Sequence, residues 1–384
     1  MKIYNILFVF LVAIFLASCV NKPDSPSFES SKSLPSYTQE SFEEYVKDTK
    51  KWIANNRVFI TKEHEKEIEL NSPYELKPIT NGKIKKGILL VHGLGDSPAY
   101  FKDIANELRN KGWLVRVILT PGHGTKPADL ILAKYKDWKN NVAHHVKLLS
   151  KKVDEVWLGG FSTGGNLVTS YALDNEDISG LFLFSPGFYT KSKLLVFSPY
   201  VKYFIDWVNI DEENDVFRYE SLSTNGSILY YKSMKELQNK LENKTYDKPV
   251  LITFSQDDSV LNSYKTLEVF SSRFTNKNSR FIWYGKNLET KDSRVKVLNS
   301  SLPNKKISTF SHMNVMFSAQ NKYYGENGTH IKYDNGQKDI SIPKDRLKLW
   351  YSAWGYKEDG KYHARLTWNP YFSNLIEDME NVSN

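Results

Sequence analysis

The chain has 384 residues, 52 Lys+Arg against 44 Asp+Glu, and a single cysteine. A hydrophobic share of 40% with 14 Pro and 20 Gly excludes a disordered, collagenous or polytopic membrane protein, and one cysteine excludes internal disulfides, thiolate zinc sites and iron–sulfur clusters. The net charge of +8 is spread along the chain without a run of five basic residues, so it implies weak attraction to anionic surfaces and no nucleic-acid partner.

The single cysteine stands at position 19. Before it, Met1-Lys2 supplies a positive charge and Ile6 to Ala17 is an unbroken apolar run of twelve. That run is short for a bilayer span and suits the core of a signal peptide. It closes in Leu16-Ala17-Ser18-Cys19, which resembles the lipobox of bacterial lipoproteins. The resemblance implies removal of residues 1–18, acylation of Cys19 (palmitate among the acyl groups) and a membrane anchor in the cell envelope. Val20 after the cysteine favours the outer membrane by the same resemblance. Residues 19–38, rich in Ser and Pro, read as a flexible tether. The folded domain is expected over 39–384.

Ser41-Phe42-Glu43-Glu44 reads as a capping box. Phe42, Tyr45, Val46, Thr49, Trp52 and Ile53 then share one helical face. From Lys86 the pattern alternates. A short all-apolar strand is predicted at Ile88–Val91, as buried parallel strands are, and further strands at Leu114–Leu119, Val153–Leu158, Leu181–Phe184 and Val250–Phe254. Helices are predicted between them, at Tyr100–Asn110, Trp138–Lys151 and Asn166–Leu173, with another at Tyr264–Phe274. This rhythm implies an α/β fold with a doubly wound, mostly parallel sheet. It breaks between Pro186 and Pro249, in a stretch rich in Tyr, Phe and Trp. An insertion there is expected to cap the ligand site beyond the carboxyl edge of the sheet.

Gly160-Phe161-Ser162-Thr163-Gly164 sits between a predicted strand and a predicted helix. A nucleophilic serine on so tight a turn needs glycine neighbours, because the backbone is strained and adjacent chain passes close by. A phosphate-binding P-loop is excluded, since no Gly-Lys-Ser/Thr follows. Ser162 requires a base, and the base an orienting carboxylate. After the strand Val250–Phe254 two aspartates compete, Asp257 and Asp258. Three histidines follow them: His312, His330 and His363. His312 lies after an apolar-leaning stretch, whereas His330 and His363 lie in polar surroundings and are expected at the surface. One oxyanion donor is expected from the N–H of Thr163, the other from Leu94, with Gly95 as the alternative. His92 and His123 read as braces of their turns, and His144-His145 as a solvated face and not a metal site.

Together, Val91–Pro98, Thr120–Thr125, Gly159–Gly165, Ser255–Asp258 and Ser311–Met313 resemble motifs of the α/β-hydrolase superfamily, in its carboxylesterase and monoacylglycerol-lipase-like branch of serine hydrolases. The resemblance covers roughly residues 84–320. It implies an α/β-hydrolase fold and a triad of Ser162, Asp258 and His312. Asp258 is favoured over Asp257 because Leu261, Asn262 and Thr266 follow it at the family's offsets. The expected activity is cleavage of carboxylic esters with an apolar acyl or lipid-like group through an acyl-enzyme. No cofactor, metal or nucleic acid is implied; the partners are a small-molecule ester and the membrane. A peptidase or acyltransferase on the same fold, and a non-catalytic envelope binding lipoprotein, are the alternatives. Tyr323-Tyr324-Gly325 and the tail to Asn384 fall outside the generic fold, and the stretch between Tyr284 and Ile307 is longer than the family needs.

Overall fold

The computed structural model describes residues 23–79, 83–201, 204–337, 341–343 and 345–384. The expected signal peptide over 1–18 and Cys19 lie outside the described residues. The strands in chain order are β1 (Tyr74–Leu76), β2 (Lys86–Val91), β3 (Leu114–Ile118), β4 (Glu155–Phe161), β5 (Ile178–Phe184), β6 (Trp207–Asn209), β7 (Leu222–Ser223), β8 (Val250–Ser255), β9 (Arg280–Tyr284), β10 (Val295–Leu298), β11 (Trp350–Ser352) and β12 (His363–Arg365). Eight of them form one sheet in the order β1-β3-β2-β4-β5-β8-β9-β10. Only β1 runs antiparallel to its neighbour; every other pairing in this sheet is parallel.

The all-apolar run Ile88–Val91 is explained by burial on both faces. In β2, Leu89 and Val91 enter one core with Leu158, Leu183 and Ile252, while Ile88 and Leu90 enter the other with Val115, Trp157 and Phe182. Helices Phe42–Asn56, Tyr135–Ser150, Thr163–Ala172 and Thr224–Asn243 contribute to the first core. Helices Lys102–Asn110 and Phe372–Ser383 contribute to the second. The capping box is formed as expected: Ser41 Oγ accepts from the Glu44 N–H and the Glu44 carboxylate accepts from the Ser41 N–H.

Several expectations change. The tether does not hold for its described part. Phe28 is buried edge-to-face against Trp207 at 4.9 Å, and the Ser31 N–H and hydroxyl donate to Asp129 at 2.6 and 3.0 Å. The Tyr37 hydroxyl donates to Asp137 at 3.1 Å. Composition describes a Ser/Pro segment as mobile, but it does not reveal acceptors lying a hundred residues away. His145 is fully buried between Phe42 and Tyr45, so only His144 of that pair keeps solvent contact. His363 is also fully buried, its Nε2 within 3.1 Å of Ser308 Oγ. Within 186–249, the helix Thr224–Asn243 packs on Thr163–Ala172 in the outer helical layer, as the crossover from β5 to β8 requires.

The long stretch after Tyr284 holds β10, which adds to the sheet edge beside β9. The tail then returns across the molecule. Tyr323 and Tyr324 grip the buried Asp215 through their hydroxyls, and Lys332 pairs with the same carboxylate at 2.9 Å. The Lys332 ammonium and these hydrogen bonds hold the Asp215 carboxyl below its usual range despite burial. The tyrosine motif outside the generic fold thus ties the tail to the 186–249 stretch.

Candidate active site

The strand order reverses at β2, with β3 on one side and β4 on the other, so a crevice forms at the carboxyl ends of β2 and β4. Leu94 follows the first strand and Ser162 the second. Ser162 has φ 50 and ψ −115, a conformation that L-residues rarely hold. Three hydrogen bonds maintain it: its N–H donates to the Phe184 carbonyl at 3.1 Å, and its carbonyl accepts from Gly165 at 3.0 Å and Gly187 at 2.8 Å. The flanking glycines have no room for a side chain. A Cβ on Gly164 would lie 2.0 Å from the Val91 carbonyl oxygen, and one on Gly160 would lie 2.5 Å from the Gly164 and Gly165 backbone. Gly164→Ala is therefore expected to displace the helix from β2, and Ser162 with it, lowering the reactivity of that serine by about a hundredfold or more, or to block folding. Soluble yield, circular dichroism and the reactivity of Ser162 toward a fluorophosphonate check this together.

β4 runs to Phe161 and the helix begins at Thr163, so the turn is a single residue, tighter than the predicted break between Leu158 and Asn166. The Thr163 N–H, at the first helical position, and the Leu94 N–H have no acceptor among the described residues. Their peptides are trans. The Ser162 carbonyl is held from one side by Gly165 and Gly187. The Gly93 carbonyl is held likewise by the Asp96 N–H at 3.3 Å and His92 Nδ1 at 2.8 Å. In a trans peptide the N–H points opposite to the carbonyl. Both donors are thereby turned away from these anchors, and both residues line one cavity of about 770 Å³.

Gly95, the alternative donor, is engaged: its N–H donates to His123 Nε2 at 3.0 Å, while His123 Nδ1 bonds the Thr120 carbonyl at 3.0 Å. His92 Nε2 accepts from the Thr120 N–H at 3.1 Å. Burial holds His92 down to about 4 and His123 well below its ordinary value, so both remain neutral acceptors near pH 7. They join the two loops, the bracing role expected of them.

His312 lies 54 residues beyond Asp258 and reaches it, Nδ1 to Oδ2, at 2.6 Å. Asp258 is fully buried, and its other oxygen accepts from the Val260 and Leu261 N–H groups at 2.8 and 2.9 Å. Asp257 makes no contact of this kind; its N–H donates to Ser255 Oγ. The His312 loop is fastened at both sides: Ser255 Oγ donates to the Phe310 carbonyl at 2.7 Å, and Ser311 Oγ to the Leu366 carbonyl at 2.5 Å. With Nδ1 committed to Asp258, Nε2 is the basic nitrogen. It and the Ser162 hydroxyl form no hydrogen bond to each other here, yet both residues line the same cavity. Such bonds commonly close only when substrate is bound.

The cavity also receives residues that the sequence did not nominate. Asp96, two residues beyond Leu94, is buried in its wall, and burial pushes its carboxyl up to about 6. Arg218 enters from the 186–249 stretch. Trp354 and Arg365 enter from the tail. Asp96 falls within the Val91–Pro98 motif without being singled out by it, and no local motif announces Arg218, Trp354 or Arg365.

Residues 82–210 match the family described as Serine aminopeptidase, S33. A segment of 101 residues is 30% identical to the thermostable monoacylglycerol lipase of Bacillus sp. (strain H-257); it is 26% of this chain and spans 40% of that enzyme. Among solved structures, one from work on the metagenome-derived lipolytic enzymes LipS and LipT is 19% identical, covering 56% of this chain and 86% of its own, with a TM-score of 0.49. A soluble variant of monoglyceride lipase from Saccharomyces cerevisiae is 17% identical, covering 59% and 85%, with a TM-score of 0.46. The family match ends before Asp258 and His312, whose pairing rests on the geometry above.

Proposed function

We propose that the chain, which has an α/β-hydrolase fold, is a serine hydrolase cleaving carboxylic esters through an acyl-enzyme. The observation that carries this reading is the conjunction of a strained Ser162 with an Asp258–His312 pair at 2.6 Å on one cavity. Ser162 Oγ attacks the ester carbonyl while His312 Nε2 takes its proton. Asp258 holds His312 in the required tautomer and stabilises the imidazolium that forms. The Leu94 and Thr163 N–H groups receive the oxyanion. Collapse expels the alcohol, protonated by His312, and water repeats the sequence on the acyl-enzyme.

The apolar part of the substrate rests against Leu94, Phe161, Leu195, Val208 and Tyr230, which supports an acyl or lipid-like chain. Leu195, Val208 and Arg218 of the 186–249 stretch line the cavity, which supports the reading of that stretch as a cap over this chain. The test is labelling of the protein with a fluorophosphonate probe, followed by a 4-nitrophenyl ester series of rising chain length set against matched amides. Labelling with ester turnover supports the reading. Absence of labelling overturns it, and preference for amides redirects it to peptidase chemistry.

The same reading places the enzyme on a membrane of the cell envelope through acylated Cys19. What supports this anchor is the lipobox-like Leu16-Ala17-Ser18-Cys19. Metabolic labelling with an alkyne fatty acid is expected to mark the wild type. Cys19→Ala is expected to abolish the label and release the protein from the membrane fraction. A label that survives the substitution removes this anchor.

A further inference from the structure

Two arginines meet in the cavity that holds Ser162. Arg218 is tied to the Leu94 loop through the backbone: it forms an antiparallel bridge with Asp96, and the next residue, Tyr219, donates its N–H to the Gly95 carbonyl at 2.7 Å. Its Nε donates to the Tyr219 carbonyl at 3.2 Å, and its terminal nitrogens have no acceptor among the described residues. The nearest carboxylate, Glu220, lies 4.0 Å away and is itself engaged by Lys332. Arg365 stands on β12, in the tail beyond the region matched by the family. Its Nη2 donates to the Asp334 carbonyl at 3.2 Å, its buried Nε has no acceptor, and no carboxylate among the described residues lies within 4 Å of it.

Two largely buried guanidinium groups facing one cavity repel each other, and water is a poor substitute for a counter-charge there. Burial and the adjacent Arg218 charge both pull Arg365 below its ordinary value. The acids nearby answer Arg218 and not Arg365: Glu220 and Asp96 offset the Arg218 charge, whereas Glu220 and Asp334 leave Arg365 below its ordinary value, and Glu220 is also engaged by Lys332. A planar guanidinium with free N–H groups is the side chain best matched to a carboxylate or phosphate.

We propose that Arg218 and Arg365 form a subsite for an anionic group, a carboxylate or phosphate, carried by the ester on which Ser162 acts. The substrate is then amphipathic: its chain lies against the apolar wall, and its anion lies between the two arginines. This proposal rests on the serine-hydrolase reading for its reaction but not for its binding. Arg365 is delivered by the tail, so the tail acts as a specificity element.

The test uses the full-length protein in detergent and two matched substrate pairs. The first pair sets the 4-nitrophenyl monoester of glutaric acid against 4-nitrophenyl valerate. The second sets a 1-acylglycerol 3-phosphate against the corresponding 1-acylglycerol. The wild type is expected to prefer the anionic member of at least one pair by about tenfold or more in kcat/KM. The responding pair identifies carboxylate or phosphate. Arg365→Gln is expected to erase most of that preference through KM, Arg218→Gln to do the same, and Arg365→Lys to restore part of it. Calorimetric binding of glutarate and of glycerol 3-phosphate runs alongside, with the same variants. Neutral substrates favoured in both pairs, or an Arg365→Gln enzyme with an unchanged anionic-to-neutral ratio, overturns the subsite. If the wild type fails to label with fluorophosphonate, the hydrolase reading has failed. The subsite is then decided by calorimetry: anion binding that Arg365→Gln abolishes supports it, and no binding overturns it.

Discussion

Ser162→Ala is expected to eliminate fluorophosphonate labelling and lower ester turnover by on the order of 10⁶, with the fold intact. The magnitude follows from the role of the hydroxyl: without it no acyl-enzyme forms, and only the oxyanion donors and substrate binding remain. The fold is expected to survive because the strained conformation is held by backbone groups. The Ser162 N–H and carbonyl bond Phe184, Gly165 and Gly187, and the side chain takes no part in these bonds. Alanine keeps the Cβ and therefore the same steric demand at φ 50. Thermal unfolding should change little, which separates loss of the nucleophile from loss of structure. Labelling of the alanine variant equal to that of the wild type would place the nucleophile elsewhere.

The second large effect distinguishes adjacent residues. Asp258→Asn is expected to lower kcat by about 10⁴, whereas Asp257→Asn should leave it within a fewfold of wild type. Asp258 accepts from His312 Nδ1 with one oxygen and from two backbone N–H groups with the other. An amide in its place presents an N–H toward His312 and favours the tautomer that blocks Nε2 as a base. Asp257 lies outside this network, its carboxyl raised by partial burial and offset by Lys191 and Lys286. Turnover of a 4-nitrophenyl ester by the two variants, measured from pH 5 to 9, checks the assignment. A larger loss in the Asp257 variant would reverse it.

Much of this architecture was readable along the chain, for local reasons. Strands buried on both faces are largely apolar, so Ile88–Val91 and Val250–Phe254 stood out. The turn around Ser162 announced itself because backbone approaching to 2.0 Å of a Cβ position tolerates only glycine. The capping box at Ser41 is complete within four residues. Each of these features depends on neighbours in sequence.

What escaped the reading depends on partners distant in sequence. The polar surroundings of His363 suggested the surface, yet β12 carries it into the interior opposite Ser308, 55 residues earlier. His145 shares a helix with exposed lysines but meets Phe42 and Tyr45 from a helix a hundred residues upstream. Residues 26–37 look mobile by composition and are held by Asp129 and Asp137. The offsets of Leu261, Asn262 and Thr266 favoured Asp258 over Asp257 in the sequence, and the course of the His312 loop, fastened to Ser255 and Leu366, brings that ring to the same carboxylate. Arg365 had no such local signal: its place in the cavity follows from the tail folding back across Asp215. The elbow and the strand rhythm are local steric requirements, which a linear chain displays. The charge lining the cavity comes from encounters between remote segments, and packing alone selects it.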